Sequence, residues 1–223
     1  MRSMIYDCEI IKGILPEYSN MLPIAGIEYC DGWDDHANMG ISVIGTYNSW
    51  DKEYVAYVED KVFNSLISTG IVSELKFKVR ALSDFQKDLG ATDILVGFNN
   101  QHFDDKLIEA NGFKIPELKL NYDILAEAWQ SLGMAREFVY PSHAGYSLAR
   151  FCEVNGLKHK SGSGEQAPIN WQKGKYLEVI NYCMNDIEIT RQLFNTIMGN
   201  KGWILNPKEK TKLTTVREYI EGK

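Results

Sequence analysis

The chain has 223 residues, 44% of them hydrophobic, with a formal net charge of −6 and a pI of about 5.3. That length and apolar share support one domain with a real core, and the acidic balance speaks against a protein that coats nucleic acid by general charge, although bound metal ions would offset acidic ligands locally. No stretch approaches the ~18 apolar residues of a membrane span, no basic-then-apolar leader opens the chain, and Cys8, Cys30, Cys152 and Cys183 form no Cys-x-x-Cys pair; reduced thiols in a cytoplasmic protein are expected.

Residues 5–10, Ile-Tyr-Asp-Cys-Glu-Ile, read as a β-strand. Side chains alternate faces along a strand, so Asp7 and Glu9 point the same way, roughly 6–7 Å apart, with Tyr6, Cys8 and Ile10 on the other face. Two carboxylates in an apolar strand repel each other and resist burial. Either the strand is an edge with a solvated acidic face, or a divalent cation sits among hard oxygen ligands. A long connection follows over about 12–39, carrying Pro16, Pro23, Gly26, Gly32 and the aromatics Tyr18, Tyr29 and Trp33. Loops of this length are usually functional or disordered, and the aromatics speak against disorder. They suit an apolar lid over the sheet end or a stacking wall for nucleotide bases. The run from Cys30 to His36 has no recognisable metal-ligand spacing and reads as a polar turn.

Residues 40–47 and 53–58 form the second and third strands around a hairpin turn at 48–52. A short helix is expected over 60–66, and a second over 76–89, where Val79, Leu82, Phe85 and Leu89 recur at three- and four-residue spacing before Gly90. The apolar run 93–98 suits a buried parallel strand. A turn at 99–102 then leads into a helix over 103–111, so Asp104 stands in a first helical turn at the carboxyl end of a strand. A helix dipole favours an acid there, and ligands bind at such strand ends in open α/β sheets. A last strand over 118–122 precedes a helix over 123–132, with Asp123 as its cap or as support to a site, and another helix begins at Ser147. The basic Gly/Ser loop around Lys158–Gly164 is either a phosphate grip or a plain surface loop. The main C-terminal helix spans about 175–198, with Val179, Ile180, Cys183, Ile187 and Phe194 as its core stripe and Tyr182, Asp186, Ile189 and Leu193 beside it. A lysine-rich tail from 201, with a short helix near 216–220, is expected to be peripheral to a 1–200 domain.

Three strands joined in sequence, then strand–helix–strand–helix, is the order of the ribonuclease H-like fold. Asp7-Cys8-Glu9 resembles the first motif of the DEDD (DnaQ-like) 3′–5′ exonuclease superfamily. Gly97-Phe98-Asn99 with Phe103-Asp104 resembles the second, and the run from Tyr182 to Asp186 the third in its tyrosine (DEDDy) form. The ordered set spans nearly the whole domain. The Gly/Ser loop followed by Ala167-Pro168 also resembles stand-alone bacterial and phage exonucleases. The long aromatic connection departs from the pattern and leaves substrate choice open.

The resemblance implies an α/β, ribonuclease H-like fold with a five-stranded mixed sheet, three antiparallel strands then two parallel ones, flanked by helices. It implies hydrolysis of single-stranded nucleic acid from its 3′ end with two Mg²⁺ or Mn²⁺ ions, which clamp the attacking and leaving oxygens. Asp7 would bridge both ions, with Glu9 and Asp186 on the water-activating ion and Asp104 on the other. Tyr182 would orient the attacking water, since a phenol of pKa near 10 is a poor base. Asn99 and Phe103 would shape the substrate pocket, and Lys160 is the candidate phosphate contact. DNA is the preferred substrate, RNA 3′ trimming the alternative, and a non-catalytic nucleic-acid or partner-binding module the competing class. A degenerate member should lack at least one acid; this chain keeps all four and the tyrosine.

Overall fold

The computed structural model describes residues 1–15, 22–157 and 164–222. Its element order begins β1 (Ser3–Ile10), β2 (Gly13–Ile14), β3 (Tyr29–Cys30), α1 (His36–Met39), β4 (Ile41–Asn48), β5 (Glu53–Val58) and α2 (Asp60–Thr69). There follow β6 (Lys78–Ala81), α3 (Phe85–Gly90), β7 (Ile94–Gly97), α4 (Asp104–Ala110), β8 (Leu120–Asp123) and α5 (Ile124–Ser131). The chain closes with α6 (Leu148–Val154), α7 (Ala167–Gln172), α8 (Tyr176–Gly199), β9 (Trp203–Leu205), β10 (Lys210–Lys212) and α9 (Val216–Glu221).

The main sheet has six strands in the order β6-β5-β4-β1-β7-β8. This corrects the five-stranded expectation. The β1–β4 and β4–β5 pairs are antiparallel, whereas β6 joins β5, β7 joins β1 and β8 joins β7 in parallel. The extra strand comes from the segment expected to be one helix over 76–89. Val79 there belongs to β6, paired with Ala56, and the α-helix starts only at Phe85 after a 3₁₀ turn. Four residues of Lys-Val-Arg-Ala satisfy the edge of β5, and that tertiary pairing overrides the local three- and four-residue spacing.

β1 lies in the interior of the sheet, so the solvated-edge reading of Asp7 and Glu9 is also corrected. Its Tyr6, Cys8 and Ile10 pack with Phe85, Leu89 and Leu107 on one face. Ile5 on the opposite face packs with Ile189 and Leu193 of α8. Each face is thereby covered, as parallel-containing sheets require. Helix α8 approaches unusually closely because of Gly45, the partner of Asp7 on β4. A Cβ there would lie 2.8 Å from both Cys183 Sγ and Ile187 Cγ1. Only a glycine leaves room for the helix at that distance, which is what brings the α8 side chains to Asp7.

The terminal segment forms a β9–β10 hairpin whose Ile204, with nearby Leu213, is buried in the same core as Tyr122 and Ile124. Thr215 and Glu218 form a reciprocal capping box on α9. The Tyr122 hydroxyl donates to Thr214 O at 2.8 Å, and the Tyr219 hydroxyl to Glu127 at 2.6 Å. Among the described residues no helix is long and apolar enough to cross a membrane.

Candidate active site

Three elements bring acids to one end of the sheet. Asp7 and Glu9 project from β1 toward α8, where Cys183 also reaches them: one ligand atom from each of the three lies within 4.8 Å of the others. Asp186 stands one turn beyond Tyr182 on α8 and is buried. Asp104 opens α4, buried, and accepts the Cys8 backbone N–H at 2.9 Å. The strand of Asp7 thus fixes Asp104 through its own main chain.

The turn that delivers Asp104 is held by two further carboxylates. Asp123, fully buried, accepts from Asn99 N at 2.9 Å and Gln101 N at 3.2 Å, and also from Leu125 N and Ala126 N at the start of α5. One side chain therefore caps a helix and pins the turn. Asn99 takes a left-handed φ of 69°, which asparagine tolerates better than most residues. Asp105 is held by the Tyr6 hydroxyl and by Asn121 Nδ2 at 2.6 Å, and Asn100 Nδ2 reaches Asn121 Oδ1 at 2.8 Å. This polar network lies beneath the first turn of α4 and keeps Asp104 turned toward Asp7.

Asp7, Glu9, Asp104, Tyr182 and Asp186 line a single cavity of about 470 Å³ together with Asn99 and Phe103. Lys160 lies outside the described residues. Sequence reading offered Asp123 as a cap or as support to a site, and the structure gives it both roles; it did not single out Tyr6 or Asp105. Two adjacent acids at 104 and 105 were a hint, but Tyr6 lies 99 residues from Asp105 in the chain and Asn121 16 residues from it.

Electrostatically the cavity is strained toward protonation. Burial pushes the Asp104 carboxyl well above the usual range, and the Asp7 and Asp105 charges add to it. Burial, then Asp7, Glu9 and Asp186, push the Cys183 thiol up, so it remains protonated and donates to Asp7 O at 3.6 Å. A protonated thiol is no ligand for a hard cation, whereas clustered carboxylates are. The donor set fits Mg²⁺ or Mn²⁺, and the buried acidic cluster could hold such an ion.

A pH experiment checks this. A carboxyl whose folded pKa is raised supports folding below its unfolded value and loses that support as pH rises through the folded one. In chelator, Asp104→Asn should melt above the unchanged protein at pH 7–8, with the gap closing toward pH 4. Added Mg²⁺ should shrink the gap at high pH by binding the unchanged protein. A gap independent of pH in chelator would contradict the assignment.

No protein-family profile matches the chain. No curated protein matches it either. Among solved structures, the fold is similar to part of the family B DNA polymerase from the hyperthermophilic archaeon Pyrobaculum calidifontis. The TM-score is 0.53 at 16% identity, over 89% of this chain and 24% of that one. The chain thus spans about a quarter of the polymerase's length, and at this identity the likeness is one of fold.

Proposed function

We propose that the chain is a metal-dependent 3′–5′ exonuclease of the DEDDy type, on a ribonuclease H-like fold, acting on single-stranded nucleic acid with DNA preferred. The observation that carries this is the convergence of Asp7, Glu9, Asp104, Asp186 and Tyr182 on one cavity. They come from an interior strand, a helix start and the main C-terminal helix, in the order of the three motifs. The similarity of fold to part of a DNA polymerase favours DNA.

Two divalent ions, when bound, would supply Lewis-acid stabilisation of the phosphoryl oxygens and a hydroxide-like nucleophile at neutral pH. Asp7 would hold both ions, Glu9 and Asp186 the one on the water side, and Asp104 the other. Tyr182 would aim the attacking water through its hydroxyl, while Asn99 and Phe103 shape the turn against which the 3′ nucleotide rests. Lys160 would contact a backbone phosphate.

A 5′-labelled single strand tests the reading. With Mg²⁺ or Mn²⁺ it should yield a descending ladder, suppressed by chelator and slowed by a 3′-phosphate. Immediate release of a labelled mononucleotide, or undiminished activity in chelator, would overturn it. RNA run in parallel decides the sugar, and metal binding with no hydrolysis of either strand would point to a binding module. Tyr182→Phe should slow single-turnover cleavage by about 10–1,000-fold, as for loss of other single active-site hydrogen bonds, with metal affinity unchanged. Full speed across pH 6–9 would remove Tyr182 from the chemistry.

A further inference from the structure

We infer that the described residues between β1 and β4, from Gly13 to Ile14 and from Glu28 to His36, form a base-stacking wall, with Trp33 as the residue that grips the 3′-terminal nucleobase. The inference rests on the exonuclease reading and adds a specificity determinant to it. Tyr29 and Trp33 of this segment line the same cavity as the acids, next to Ile14 and Phe103. Trp33 is half exposed, and its ring meets Phe103 edge-on at 6.2 Å, the residue immediately before Asp104. An indole is thus presented beside the acidic cluster with one part anchored and one part open.

The wall is built in place rather than draped. Gly13 seats the Tyr29 ring, since a Cβ there would lie 2.9 Å from two of its carbons, and β2 pairs with β3 across that contact. Gln172 of α7 ties the segment down with three bonds. Its Oε1 accepts Glu28 N at 2.7 Å, and its Nε2 donates to Ile11 O and Glu28 O at 3.0 Å each. On the other side Asn111 Nδ2 donates to His36 O at 3.0 Å, and the His36 ring packs on Phe103 at 5.7 Å. Helix α7 contributes Pro168 and Ile169 to the same cavity. A slot walled by aromatic and aliphatic groups, ending at clustered carboxylates, matches a nucleotide: a flat apolar base at one end and an anionic phosphodiester at the metal-binding end. Every base has a π-face, so such a wall grips without reading sequence.

The test compares two 5′-labelled single strands, one ending in 3′ thymidine and one in an abasic tetrahydrofuran nucleotide, under single-turnover conditions with Mn²⁺. The unchanged protein should remove the abasic residue about 10–100-fold more slowly, the range expected for losing one stacked base. Trp33→Ala should slow removal of thymidine far more than removal of the abasic residue, bringing the two rates together. Trp33→Phe, which keeps a stacking ring, should restore most of the difference. Melting curves of both variants check that the fold is retained. Equal removal of both ends by the unchanged protein would overturn the inference and leave the exonuclease reading standing. So would an equal fall on both substrates in Trp33→Ala. Failure of the unchanged protein to remove either end would overturn the exonuclease reading itself.

Discussion

Asp186→Ala is expected to lower single-turnover cleavage by about a thousand-fold or more, the equivalent of about 4 kcal/mol of transition-state stabilisation. Asp186 is buried on α8, beside the acids of β1, and its loss leaves Asp7 and Glu9 to hold an ion alone. The variant should bind Mn²⁺ more weakly, in contrast to Tyr182→Phe, whose single missing hydroxyl leaves the carboxylates intact. Removing one of several mutually repelling buried charges should leave the fold at least as stable in chelator. Rapid-quench rates and a metal titration of both variants check the contrast. Equal metal affinity in Asp186→Ala and the unchanged protein would exclude Asp186 as a ligand.

The largest effect on stability is expected at Asp123. Its carboxylate accepts four backbone N–H groups, two from the turn before α4 and two from the start of α5. Alanine would remove all four acceptors at a fully buried position. An unsatisfied buried donor costs about 1–3 kcal/mol and a lost helix cap about 1 kcal/mol. Relaxation and water entry offset part of the sum, so a loss of about 3 kcal/mol is expected, lowering Tm by about 6–12 °C for a chain of this size. Cleavage should also slow, because the turn that orients Asp104 loses its anchor. Thermal melts and single-turnover rates of Asp123→Ala measure both effects. A Tm within 2 °C of the unchanged protein, by the same scale, would show that the turn is held by other bonds.

How much of this was legible in the sequence follows from the range of the forces involved. β5 and α8 carry strong alternation or long apolar stripes, and the expected bounds fell within a residue or so of those found. β6 was hidden because its four residues have no period of their own and are fixed only by pairing with β5. β2 and β3, two residues each, were hidden for the same reason. The acids and Tyr182 were legible as a set through their resemblance to three ordered motifs; periodicity by itself placed only Asp7 with Glu9, and Tyr182 with Asp186, on shared faces. The Tyr6–Asp105–Asn121 network was not, since hydrogen bonds across the sheet leave no local pattern. The aromatic insertion was conspicuous in composition, yet its attachment through Gln172 depends on a contact 144 residues away.

The most direct test of the central claim, that the four carboxylates form a two-metal centre, is a Mn²⁺ titration followed by electron paramagnetic resonance. The unchanged protein should bind two ions per chain, and Asp7→Asn, with its circular dichroism unaltered, should lose at least one of them. Binding of Mn²⁺ to Asp7→Asn with the same number and affinity would contradict the account.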